Sequence, residues 1–170
     1  SVYAIVVADA LDGIEEGTGD ANNAKASSTK LAIATAPKPN LVPSIASLPT
    51  SWLAGSTVQF GWQVDNAGNA EAEGPWSDGV YLSADAVLSS DDETLRVQQF
   101  SGDLAAAANY TRTAAVTLPV DYVGGTRYLL VKADVNDLLP ESASNDDVVA
   151  SAPFALEPTP AADLVTSLLA

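Results

Sequence analysis

The sequence predicts an all-β fold: an immunoglobulin-like antiparallel β-sandwich of about seven strands, with partial copies of the same repeat at both ends. Three observations carry that expectation. Apolar residues alternate with a period of two, as in Val58, Phe60, Trp62 and Val64 against Gln59, Gly61, Gln63 and Asp65, the pattern of a strand with one face in a core and one in water. Clusters of Gly, Asp, Asn and Ser interrupt these runs at short intervals, as turns between strands do. Finally, the chain matches itself. Displaced by 125 positions, Tyr3, Val6, Ala8, Asp9, Asp12 and Glu16 fall on Tyr128, Val131, Ala133, Asp134, Asp137 and Glu141, and a fixed internal period is the signature of a repeat architecture.

Taken in order, residues 1–36 correspond to the last two strands of a preceding repeat, an F–G-like hairpin. The match continues with one-residue gaps: Ala26-Ser27 recurs as Ala150-Ser151, and Ala32, Pro37, Leu41, Val42 and Ser44 recur as Ala155, Pro160, Leu164, Val165 and Ser167. Residues 37–39, Pro-Lys-Pro, read as a linker, because proline fixes φ and favours extended, semi-rigid chain. Residues 40–157 form one complete repeat. Its strands are expected at 41–46, from Val58 to Val64, 78–83, 95–100, 110–118, 126–134 and 148–156. Trp62, on the apolar face of its strand, is the expected core tryptophan. The four alanines at 105–108 are too short a run for an independent helix and are expected in the loop before the Tyr110 strand. Residues 158–170 are then a second linker and the first strand of a following repeat.

Composition narrows the chemistry. The 170 residues contain no His, Cys or Met, and 7 Lys+Arg against 22 Asp+Glu give a net charge of −15. Imidazole bases, thiolate nucleophiles, disulfides and the usual zinc ligands are therefore absent. An acidic chain is a poor match for phosphate backbones or anionic membrane, which need clustered Lys/Arg, so neither nucleic acid nor membrane insertion is expected. A chain without oxidisable sulfur suits an extracellular or cell-surface location.

What remains is carboxylate and aromatic chemistry. Asp134, Asn136, Asp137 and Glu141, echoed by Asp9, Asp12 and Glu16, put oxygen ligands at one- to three-residue spacing after a strand, as calcium requires. Asp85, Asp91 and Asp92 form a second candidate, with Glu93 beside them. The alternative for both sets is that the acids cap turns and keep the surface solvated. Paired carboxylates could serve a glycosidase, but so lean a repeat leaves no insertions to build a cleft, and an enzyme is not expected. Trp52 and Trp76 fall between the expected strands, where exposed indoles, with Tyr81, would offer a sugar-stacking platform. Carbohydrate binding is accordingly the alternative function.

The stretch from Ala54 through Phe60-Gly61-Trp62 to Asn66-Ala67-Gly68 resembles the opening of the bacterial CARDB domain, an immunoglobulin-like module named for cell-adhesion-related proteins. Trp76-Ser77-Asp78-Gly79-Val80-Tyr81-Leu82-Ser83 and Tyr128-Leu129-Leu130-Val131-Lys132-Ala133-Asp134 are similar to later parts of it. Where the family often reads Glu-Ser-x-Glu-x-Asn-Asn, this chain has Glu141-Ser142-Ala143-Ser144-Asn145-Asp146-Asp147, lacking the middle acid. The resemblance implies a tandem structural or adhesive module of a large bacterial surface or secreted protein, without catalytic activity. Its expected partners are neighbouring repeats or subunits, met through the flanking strands, and a cell-surface or matrix polymer. Calcium is the one cofactor expected.

Overall fold

The computed structural model describes residues 1–160. The chain divides into two compact units, one of residues 1–36 and one beginning at Pro37. The expected following strand, within 161–170, lies outside the described residues.

The first unit is a hairpin. β1 (Ile5–Val7) pairs antiparallel with β2 (Ala24–Ala26), placing Ile5, Val6 and Val7 opposite Ala26, Lys25 and Ala24. A short 3-10 helix (Gly17–Asn22) lies in the connection, an element the sequence had not suggested. Ser27 extends the ladder by side chain and backbone: its hydroxyl accepts from the Ala4 amide at 3.2 Å, and its own amide donates to the Ala4 carbonyl at 2.7 Å.

The main unit is a two-sheet sandwich. Its strands are β3 (Leu41–Ser47), β4 (Ser51–Leu53), β5 (Thr57–Asn66), β6 (Trp76–Ser83), β7 (Glu93–Phe100), β8 (Asn109–Thr117), β9 (Gly125–Lys132), β10 (Val148–Ala150) and β11 (Phe154–Glu157). One sheet runs β3-β5-β8; the other runs β4-β11-β9-β6-β7, with β10 also paired to β9. All pairs are antiparallel except β11 with β4.

Two short elements refine the seven expected strands. β4 forms where the sequence predicts loop. The strand expected at 148–156 breaks in two around Ser151 and Pro153, with both pieces still on β9. Pro153 has no N–H to contribute to a ladder. At the break, the Ser151 hydroxyl accepts from the Leu129 amide at 3.0 Å and donates to the Ala152 carbonyl. The alanine run forms a turn, with Ala107 at φ 61°.

The alternation on β5 works as read: Val58, Phe60, Trp62 and Val64 are all buried. They meet Val80 and Leu82 of β6 and Leu129 and Val131 of β9 in one core drawn from both sheets. Aromatic rings carry much of it, with Trp52 stacked on Phe154 at 4.6 Å and Phe100 on Tyr110 at 4.3 Å. Such pairs add about 0.5–1.5 kcal/mol each beyond the area they bury.

The turn after β5 is more than a break. Asn66 is fully buried and satisfies both ends of its amide. Its Oδ1 accepts from the Asn40 and Gly68 amides at 3.1 Å each, and its Nδ2 donates to the Ala70 and Leu104 carbonyls at 2.9 Å. Three loops are thereby fastened to one side chain. A β-carbon at Gly68 would lie 2.4 Å from the Lys38 carbonyl oxygen, so glycine is needed there for the entering strand to pass.

Candidate functional site

The acids after β9 do converge, though not as the set the sequence suggested. Asp134, two residues past the end of β9, has φ 40° and Asp137 follows at φ 49°, a left-handed conformation that Asp tolerates better than most residues. The Asp134 carboxylate accepts from the Leu139 amide at 2.8 Å through Oδ2, while its Oδ1 is buried without a partner. Asp137 turns outward to an ion pair with Lys132 at 3.0 Å, its own side chain 71% exposed. Asn136 is exposed. Glu141 reaches back to the entry of the domain, where its Oε1 accepts from the Leu41 amide at 2.5 Å.

Sequence spacing missed the remaining members, Asp146 and Asp147, which precede β10. Asp147 is 3% exposed and, like Asp146, has a buried Oδ1 with no partner. Asp146 is held by Asn40, whose Nδ2 donates to its Oδ2 at 2.9 Å. β10 lies antiparallel on β9, and that pairing brings Asp147 back beside the Asp134 loop, where the Ala133 amide donates to the Asp147 carbonyl at 2.9 Å. The one available signal was internal: Asn22-Asn23 occupies the positions of Asp146-Asp147 in the partial copy, so the main unit carries carboxylates where its copy has amides.

Crowded carboxylates cannot all ionise freely. Burial, reinforced by the charges of Asp147 and Asp134, pushes the Glu141 carboxyl up to about 7, against an opposing hydrogen bond from Leu41. The Asp147 carboxyl is also raised, by burial first and then by the charge of Asp146. Glu141 and Asp147 thus act on each other's ionisation, as neighbouring carboxyl groups do.

The second acidic candidate is a set of turn caps. Asp85 Oδ1 accepts from the Val87 amide at 2.8 Å, Asp92 Oδ2 from the Ser89 amide at 2.7 Å, and Asp91 Oδ1 from the Ser89 hydroxyl at 2.5 Å. Among the described residues no group of three or more acidic side chains is arranged to hold a metal ion.

The sugar platform requires correction. Trp52 lies in β4 and Trp76 opens β6, each 1% exposed. Sheet pairing turned both indoles inward, where they fill the core; Tyr81 is partly exposed and folds over Gly79, its hydroxyl 2.5 Å from where a β-carbon there would sit. No indole face is left for stacking.

A further polar group had no sequence signal. Asp78 of β6 is fully buried between the sheets. It accepts from Trp62 Nε1 at 3.0 Å and from the Tyr110 hydroxyl at 2.8 Å, and that hydroxyl accepts from Trp76 Nε1 at 3.1 Å. Burial raises the Asp78 carboxyl, and the Trp62 and Tyr110 hydrogen bonds oppose this. With its partners supplied from β5 and β8, the group ties the two sheets together; it faces no opening.

The sequence model of the CARDB family matches residues 38–151. No curated protein matches the chain. Among solved structures, the CARDB domain of a Pyrococcus furiosus protein, crystallised in complex with di-metal ions, is similar at 14% identity and a TM-score of 0.56, covering 74% of this chain and 99% of that one. A domain of a Methanosarcina acetivorans protein named for the cell surface gives 18% identity and a TM-score of 0.48 over 70% of this chain and 92% of that one. A β-glucosidase of Listeria innocua gives 15% identity and 0.47, over 70% of this chain and only 16% of that one. The first likeness supports the fold alone, and the other two carry no argument.

Proposed function

The chain belongs to the CARDB family, and on that premise we propose that it is a non-catalytic structural or adhesive repeat module of a large bacterial extracellular or surface protein. The observation that carries this reading is the internal repeat, because a chain built from successive copies of one sandwich acts by extension and spacing. The tying of Asp78, buried between the sheets, to the Trp62 indole and the Tyr110 hydroxyl supports it. A net charge of −15 keeps successive modules apart by repulsion, and the Pro-containing segment at 37–39 suits a semi-rigid joint. The flanking strands are the means by which neighbouring repeats or subunits engage it. Protease shaving of intact producing cells should release peptides of this chain; their recovery only after lysis would overturn the reading.

Calcium is the finer part of the proposal. The unpartnered oxygens of Asp134, Asp146 and Asp147 are the hard donors that calcium takes, and a cation there would offset the repulsion between these carboxylates. Although they lie near one another, the described carboxylates are not spaced to hold a metal ion, so binding requires the 134–147 loop to tighten. Millimolar calcium should raise the melting temperature relative to chelator, and an unchanged value would remove calcium from the function.

A further inference from the structure

The hairpin of residues 1–36 reproduces the register and the turn of the β9–β10 hairpin of the main unit. Ile5↔Ala26, Val6↔Lys25 and Val7↔Ala24 take the places of Leu130↔Ala150, Val131↔Val149 and Lys132↔Val148. The Ala8 amide donates to the Asn23 carbonyl at 2.8 Å as the Ala133 amide does to Asp147 at 2.9 Å. Asp9 and Asp12 take φ 44° and 52° against 40° and 49° at Asp134 and Asp137. The Ile14 amide donates to Asp9 Oδ2 at 2.7 Å as the Leu139 amide does to Asp134 Oδ2 at 2.8 Å.

Asp9 Oδ1 accepts from the Gly13 amide at 2.9 Å where Asp134 Oδ1 has no partner, but the larger difference lies in the surroundings. In the main unit the face of Leu129, Val131 and Ala133 is fully buried, and β9 pairs along its other edge with β6, Val80 opposite Val131. In the first unit the same face, Ala4, Val6 and Ala8, lines an open groove, with Val6 71% and Ile5 65% exposed. Among the described residues, β1 pairs in its sheet with β2 alone.

We infer that the Ala4-Val6-Ala8 face and the free edge of β1 are a docking surface for the first five principal strands of another CARDB-type repeat, one that lacks its own closing hairpin. The occupant is fixed by continuity with an interface this chain already contains. A β6-type strand pairs antiparallel along β1, its Val80 equivalent opposite Val6 and its Leu82 equivalent opposite Ala4. A β3-β5-β8-type sheet covers the groove with the equivalents of Phe60, Trp62 and Val64. Lys25 stands where Val149 packs on the main core; its stem can lie on the apolar face while the ammonium reaches water. The docking is thus completion of a core, in which edge pairing is one part. This rests on the reading of the chain as a CARDB repeat module.

The test places a second copy of residues 37–125 directly ahead of Ser1, so that Ser1 falls where Thr126 follows Gly125 in the main unit. Hydrogen exchange at the amides of Ile5 to Val7 should slow by at least about 100-fold relative to the 170-residue chain, with a second calorimetric transition that Val6→Asp abolishes. Three results would overturn the inference: an added segment that stays unfolded or aggregates while the main unit melts as before, a transition that survives Val6→Asp, or hairpin amides already protected in a self-associated 170-residue chain, which would make a second copy the occupant. None of these readouts depends on surface location or calcium, so the inference and the proposed function fail separately.

Discussion

The two hairpins share a register, a pair of left-handed aspartates and a serine that closes the ladder, yet Val131 is fully buried and its counterpart Val6 is 71% exposed. Strand pairing over three residues and the turn that sets it are therefore local properties of the sequence. Burial is not: it comes from β5, β6 and β8, which stand over one hairpin and have no equivalent in the described residues of the other. A lone two-stranded hairpin is at best marginal in water, so the same motif has very different energetic weight in its two settings.

The largest expected effect tests that difference directly. Val131→Asp puts an unpaired charge in the core and should cost roughly 4 kcal/mol or more, enough to unfold a marginal domain. Val6→Asp, the same change at the matching position, should stay within about 0.5 kcal/mol in the 170-residue chain. Equilibrium denaturation of both variants reads the contrast, and equal losses would break it.

Next comes the part of the main unit that the hairpin does not duplicate. Asn66→Ala removes all four bonds of the side chain that fastens Asn40, Gly68, Ala70 and Leu104. Leaving buried backbone groups unpaired should cost about 2–4 kcal/mol. A loss under 1 kcal/mol by urea denaturation would show that water takes over the role.

The smallest effect concerns the position where the two copies differ in chemistry, Asp147 against Asn23. The Glu141 carboxyl is raised from 4.5 to about 7, so across that window the folded state holds more protons than the unfolded chain. Stability is then fully present below pH ~4.5 and lost as pH rises through 7. The loss should be on the order of 1 kcal/mol once solvent screening at this half-buried site is allowed for. Asp147→Asn supplies an amide donor to Glu141, and should flatten the profile and raise the melting temperature at pH 8. A profile as steep as before would show that Asp147 does not contribute to raising the Glu141 carboxyl.

The strands were legible because alternation, turn residues and the internal period each report on a few adjacent positions. The two errors have a common source. Trp52 and Trp76 lay outside the expected strands and looked exposed. β4 forms by parallel pairing with β11, whose residues stand about a hundred positions later, and β6 begins two residues before the expected start, burying Trp76. The acidic corner was half legible: Asp134 and Glu141 carry the period, whereas Asp147 joins them through the β9–β10 pairing.

Strand periodicity, the Asp-capped hairpin and its repetition are local properties of the chain, since they follow from backbone sterics and hydrogen bonds between near neighbours. Which copy has a core, which indoles are hidden, and that Glu141 comes to lie beside Asp147 are settled by the tertiary fold. Those outcomes depend on contacts between residues far apart along the chain, where burial removes the water that would otherwise keep each group independent.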